Sequence, residues 1–120
     1  MHKLSILRDD NVALLDVAFC CQRIVAATST IDLPQFMSSI ATQDQVLYRL
    51  IIMGEAVKRL SAEFRTQHPQ VTWQAIAGAR DVLIHSYERV DLEAVWEMAT
   101  LHVPRLLEHL LPILPDPSRD

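Results

Sequence analysis

The sequence predicts an all-α fold, an antiparallel bundle of four to five helices. Three observations carry this. Hydrophobic residues make up 50% of the 120 positions and only two are glycine, so the chemistry of β-turns is scarce. The apolar residues recur at spacings of three, four and seven, which line one face of a helix. Residues that cap or end helices fall between the periodic stretches.

The elements follow in order. Residues 4–28 read as a long first helix, with Leu7, Leu14, Ala18, Cys21 and Val25 as its apolar stripe. Asp9, Asp10, Asp16 and Arg23 fall largely off that stripe. The hydroxyl and β-branched residues from Thr28 to Asp32 end the helix. Asp32 is a good N-cap, and Pro34 sits just inside a short second helix reaching about Ile40. Thr42 is the expected N-cap of a third helix, with Gln45 at the capping-box position. This helix is expected to run to about residue 66, with Val46, Leu50, Met53, Val57, Leu60 and Phe64 inward. His68-Pro69 terminates it, because the residue before proline avoids helical dihedrals.

Thr72 is expected to cap a fourth helix, from Trp73 to about Ser86, with Gly78 inside it. Asp91 caps a fifth, Leu92 to about Leu111, which Pro104 is expected to kink. Its inner face reads Val95, Met98, Leu101/His102, Leu106 and Leu110. Trp73 and Trp96 read as core or interface anchors. Residues 1–111 form one helical domain, and Pro112, Pro115 and Pro117 mark residues 112–120 as a flexible tail. No internal repeat or low-complexity segment interrupts the domain.

Composition narrows the function classes. No apolar run reaches the length of a membrane span, and the N-terminus lacks the apolar core of a signal peptide. Cys20 and Cys21 are adjacent, an unfavourable arrangement for a structural disulfide. A reduced, cytoplasmic protein is expected. The net charge of −4 argues against broad nonspecific nucleic-acid binding. Residues 49–89 nonetheless carry six Lys/Arg against four acids, so the centre of the chain is weakly basic. That fits local phosphate contact, and equally fits ordinary solvated helix faces.

Chemistry concentrates in Arg80-Asp81-Val82-Leu83-Ile84-His85-Ser86-Tyr87. At about 100° per residue, Asp81 and His85 lie roughly 40° apart and share a helix face. Arg80 and His85 are about 140° apart, so they meet only if the Arg curls round or if two copies of this helix pair across a dimer. An imidazole can take the 2′-hydroxyl proton of RNA or give one to the leaving 5′-oxygen. A guanidinium can hold the phosphate, and Asp81 could fix the imidazole tautomer. The structural alternative is an Arg, Asp and His that satisfy one another inside a bundle. Glu55 and Arg59, one turn apart, could form a pair aimed at the same cleft. Gly54 reads as a point of close helix packing. His102 and His109 are too far apart for a tight metal site, so neither metal nor cofactor is expected.

Three segments carry a family resemblance: Gly54–Leu60 (GEAVKRL), Trp73–His85 (WQAIAGARDVLIH) and Tyr87–Trp96 (YERVDLEAVW). In this order, with Arg80, His85 and Tyr87 at motif spacing, the chain resembles the HepT-like toxins of the HEPN superfamily, clearly over about residues 43–110. The resemblance implies a HEPN-type helical homodimer with two motif helices lining an interface cleft. It implies a metal-independent endoribonuclease with Arg80 and His85 catalytic and Asp81 and Glu55 supporting. It also implies a toxin–antitoxin pair, whose minimal nucleotidyltransferase (MNT) antitoxin transfers AMP to Tyr87. The alternative is a noncatalytic HEPN dimer that binds a nucleotide or the nucleotidyltransferase.

Overall fold

The computed structural model describes residues 2–115, with the side chains of His2, Lys3 and Tyr87 outside the description. The elements are α1 (His2–Thr28), α2 (Leu33–Met37), α3 (Ile40–Arg59), α4 (Ala62–Gln67), α5 (Trp73–His85), α6 (Leu92–Glu97) and α7 (Val103–Leu110). A π-helical turn, Met98–His102, joins α6 to α7, and 3-10 turns occupy Tyr87–Arg89 and Leu111–Ile113. The protein is all-helical, with no strand among the described residues. Its substantial helices are α1, α3, α5 and the near-continuous rod from Leu92 to Leu110.

The central helix is α3, whose main packing partners are α1 and α5, while α7 packs on α1. Five residues of the expected inner face, Val46, Leu50, Met53, Val57 and Leu60, are buried, and the sixth, Phe64, is half-buried on α4. On α1 the buried face is Ala13, Leu14, Val17, Ala18, Cys20, Cys21 and Ile24, while Leu7 is exposed. By length and composition α1 would also suffice to cross a membrane, with mean hydropathy 1.3 over its apolar window. That departs from the expectation that no segment reaches span length. Its buried face packs on α3, and its Asp16 pairs with Arg59 of α3, so α1 serves as a core helix of the bundle.

Local capping works largely as the sequence dictates. Asp32 accepts the Gln35 N–H at 2.9 Å, and the Gln35 side chain accepts the Asp32 N–H at 2.9 Å. Asp91 accepts the N–H groups of Glu93 and Ala94 at 3.1 and 3.2 Å. Trp73 is buried, donating its indole N–H to the His68 carbonyl at 2.9 Å, and half-buried Trp96 stacks on Phe36 with centroids 5.2 Å apart.

Three expectations are corrected. Ser39, not Thr42, caps α3, accepting the Thr42 N–H at 3.2 Å. Its first residue, Ile40, is exposed, so no apolar stripe announces that start. The third helix also does not reach residue 66. Leu60 adopts an extended conformation (φ −67°, ψ 139°), and Ser61 caps the separate helix α4. Thr72 precedes α5 but makes no side-chain cap. Around Pro104 the rod runs through a π turn, Met98–His102, just before the proline. Proline lacks an N–H and crowds the carbonyl four residues back, and widening the preceding turn relieves this. The wider turn shifts the face of the rod, which buries Val95, Ala99, Val103 and Leu110 and leaves Leu101 exposed. Beyond Leu111, Ile113 and Leu114 still pack against the core, so the folded part extends into the expected tail, whose residues 116–120 lie outside the described set.

The break at Leu60 has a tertiary cause. Asp10, expected off the apolar stripe, is only 4% exposed and accepts both the N–H and the hydroxyl of Ser61, each at 2.7 Å. One carboxylate of α1 thus satisfies the start of α4 from outside. Asp10→Ala strands these donors in a half-buried place and should cost about 1–3 kcal/mol of folding stability in a urea titration. Asp10→Asn, which keeps an acceptor oxygen, should lose less. A change under about 0.5 kcal/mol for the alanine variant, the usual range of a surface substitution, would contradict this role.

Cys20 and Cys21 are free and buried. Burial pushes the Cys21 thiol up to about 12, which keeps it protonated at neutral pH.

Candidate active site

The site begins at the closest approach of α3 and α5. Gly54 is buried, and a Cβ added there would lie 2.2 Å from Cβ and 2.9 Å from Cγ of Arg80. The missing side chain therefore makes the room in which the Arg80 stem sits. From that seat the Arg80 side chain is 24% exposed, and its guanidinium spans two carboxylates. One terminal nitrogen, Nη1, donates to Asp81 Oδ1 at 2.9 Å, and the other, Nη2, donates to Glu55 Oε1. Lys58 Nζ closes the chain on Asp81 Oδ1 at 2.5 Å. Two cations and two anions thus form one ladder across the α3–α5 seam.

The contacts hold Arg80 and Asp81 in their charged forms. Hydrogen bonding to Asp81 first, then to Glu55, pushes the Arg80 guanidinium further up despite its partial desolvation. Lys58 first, then Arg80, holds the Asp81 carboxyl below the usual carboxylate range. The Arg80 Nε is buried without a hydrogen-bond partner among the described residues. Five N–H donors make up a guanidinium, so each terminal nitrogen keeps a second N–H beyond the one already given to a carboxylate.

The expected residues are brought together in part. Glu55, Arg80 and Asp81 form one cluster. His85 is exposed at the last position of α5, five residues and about 7.5 Å of helix rise from Arg80. No hydrogen bond joins His85 to Arg80 or Asp81 among the described residues. Within the chain, Asp81 Oδ1 accepts from Lys58 and Arg80, and no hydrogen bond to the imidazole is among those described. The expected Glu55–Arg59 pair is replaced, since Arg59 reaches Asp16 on α1 at 2.7 Å and Glu55 takes Arg80. Lys58 was not singled out from the sequence. Its position three residues beyond Glu55, on the same side of α3, was the available signal. Tyr87 opens the 3-10 turn directly after α5, and its side chain lies outside the described residues.

Among the described residues no group of three or more His, Cys, Asp or Glu is placed to hold a metal ion. His102 and His109 stand on the C-terminal rod, with Pro104 between them in sequence.

Comparison with known proteins covers the same region. The family described as Ribonuclease HepT-like matches residues 18–113, which include every residue of the ladder, His85 and Tyr87. "Putative RNase MJ0125" of Methanocaldococcus jannaschii is 32% identical over 109 residues, covering 91% of this chain and 94% of that protein. "Probable ribonuclease HepT" of Thermococcus cleftensis is 34% identical over 93 residues, covering 78% of this chain and 84% of that one. A longer protein of Methanocaldococcus jannaschii, "Gamma-glutamylcyclotransferase and putative RNase MJ0434", is 40% identical over 79 residues, covering 66% of this chain and 36% of its own length. No solved structure matches. With the helical fold, the Gly54-seated Arg80 and this coverage, the chain belongs to the Ribonuclease HepT-like family of the HEPN superfamily.

Proposed function

We propose that this protein is a metal-independent endoribonuclease, the cytoplasmic toxin of a toxin–antitoxin pair, acting as a homodimer with Arg80 and His85 as its catalytic residues. The observation that carries the reading is a guanidinium fixed in a rigid seat, still partly open, on the helix that ends in an exposed imidazole. The free N–H groups of Arg80 reach an RNA phosphate and stabilise charge as the 2′-oxygen attacks. His85 moves the proton, from the 2′-hydroxyl or to the 5′-leaving oxygen. Asp81 and Glu55 hold the guanidinium in place.

Separation of Arg80 from His85 within one chain supports the dimer, because a second α5 would supply an imidazole to the first protomer's Arg80. Val82, 63% exposed, and Gly78, around which a Cβ would find open space, leave the outer surface of α5 free for such pairing. An MNT antitoxin is the proposed partner, and its proposed target is the Tyr87 hydroxyl. That oxygen would attack the α-phosphorus of ATP, releasing pyrophosphate and leaving AMP on Tyr87. The new phosphate would compete with RNA for Arg80.

The neutralised state of the ladder, with both carboxylates already on Arg80, favours a second reading: a noncatalytic dimer that docks a nucleotide or the nucleotidyltransferase. One assay separates them. Purified protein incubated with total RNA in EDTA should cleave it, and Val82→Glu should yield monomers in sedimentation and lose that cleavage. Intact RNA with wild-type dimer would leave the docking reading, and full cleavage by a monomeric variant would remove the dimer from the mechanism.

A further inference from the structure

We infer that the groove between α5 and α7 is a binding site for a small organic anion with an apolar body. It is independent of the RNA reading and lies on the other flank of α5 from Asp81 and His85. The cavity holds about 330 Å³, within the usual size of small-molecule pockets. Its floor is Leu50 and Met53 of α3, and its walls include Ile76 of α5 and Val103 and Leu106 of α7. The space exists because α5 packs chiefly on α3 and α7 on α1, and because two of the α5 residues lining the gap, Ala75 and Ala79, are small. Apolar surface left open in this way gains from an apolar occupant that displaces its water.

Charge selects the occupant. His102, Arg105 and His109, spaced three and four residues apart, face the groove along the C-terminal rod. Gln70 and Thr72 add neutral polar groups at the α5 end, and the Thr72 side chain is not used as a helix cap. No Asp or Glu among the described residues lines the cavity. Unlike Lys58, Arg59 and Arg80, Arg105 has no carboxylate partner among the described residues. A flat or aliphatic body therefore fits the floor, with one carboxylate, sulfonate or phosphate toward Arg105.

The test is a fluorescence titration with anilinonaphthalene sulfonate and its uncharged counterpart, phenylnaphthylamine. The wild-type protein should bind one sulfonate dye per chain, saturably. Arg105→Ala, at an exposed position, should weaken the sulfonate about tenfold, the loss of one charge-assisted hydrogen bond, and leave the neutral dye nearly unchanged. Ala75→Trp, filling the groove from an exposed wall position, should abolish binding of both while helical circular dichroism is retained. Absence of saturable binding, equal loss of both dyes in Arg105→Ala, or undiminished binding in Ala75→Trp would overturn the site. So would dissociation of a dimer by Ala75→Trp without any dye binding to the wild type, since the groove would then belong to a second copy.

Discussion

Gly54→Ala is expected to destabilise the fold and to disable the Arg80 seat together. The added methyl would stand 2.2 Å from Arg80 Cβ, 2.9 Å from its Cγ and 3.3 Å from the Ile76 carbonyl oxygen. The nearest obstacle is a Cβ rather than the far end of a flexible chain, so rotamer changes do not relieve it. The α5 backbone itself has to move away from α3. Overpacking of this kind costs about 1–3 kcal/mol, and each kcal/mol lowers the melting temperature by roughly 4 °C at this chain length. The same movement carries the guanidinium off Glu55, which sits on the other helix. The contrast is Gly78→Ala. Its Cβ meets nothing within 4 Å, and alanine removes a helix penalty of roughly 0.5–1 kcal/mol, so that variant should be as stable as the parent or more so. Calorimetry of the two variants checks the argument. An unshifted melting temperature for Gly54→Ala would show that the helices are not held at this separation.

His85→Ala should lower the rate of RNA cleavage by about 10²–10⁴-fold without changing stability. The size is that of a positioned general acid or base. Stability is spared because His85 is exposed and makes no hydrogen bond among the described residues. Arg80→Lys should be comparably inactive. An ammonium keeps the charge, but it is a point donor and lacks the planar fork that spans Glu55 and Asp81. Single-turnover cleavage in EDTA, with urea titrations of each variant, separates loss of chemistry from loss of fold. Wild-type rates in either variant would remove that residue from the catalytic step. The Arg80–Asp81 pair contributes little pH dependence of its own near neutrality. The folded Asp81 carboxyl is held below its ordinary range, so its stabilising contribution is present above that range and is lost only as pH falls through the lowered value. Arg80 is pushed upward and stays charged throughout.

The sequence by itself determined what neighbours within about one helical turn decide. Asp32 and Asp91 cap helices because their carboxylates reach N–H groups two or three residues on. The inner face of α3 follows from periodicity, and the helical stretch before Pro69 ends as the proline requires. Arg80, Asp81 and His85 drew attention because charged and titratable groups stand in an otherwise apolar helix. Tertiary structure decided the rest, because partners across helices depend on distances that no local spacing encodes. Asp10 looked like a solvent-facing residue until it met Ser61, 51 positions away, and the helix expected to reach residue 66 ended at Arg59. Glu55 had Arg59 within reach along its own helix, yet it takes Arg80, because Gly54 brings α5 close enough for a stronger, less exposed partner. Asp81 had His85 one turn away and takes Lys58 and Arg80 instead, since two cations outcompete an imidazole for one carboxylate.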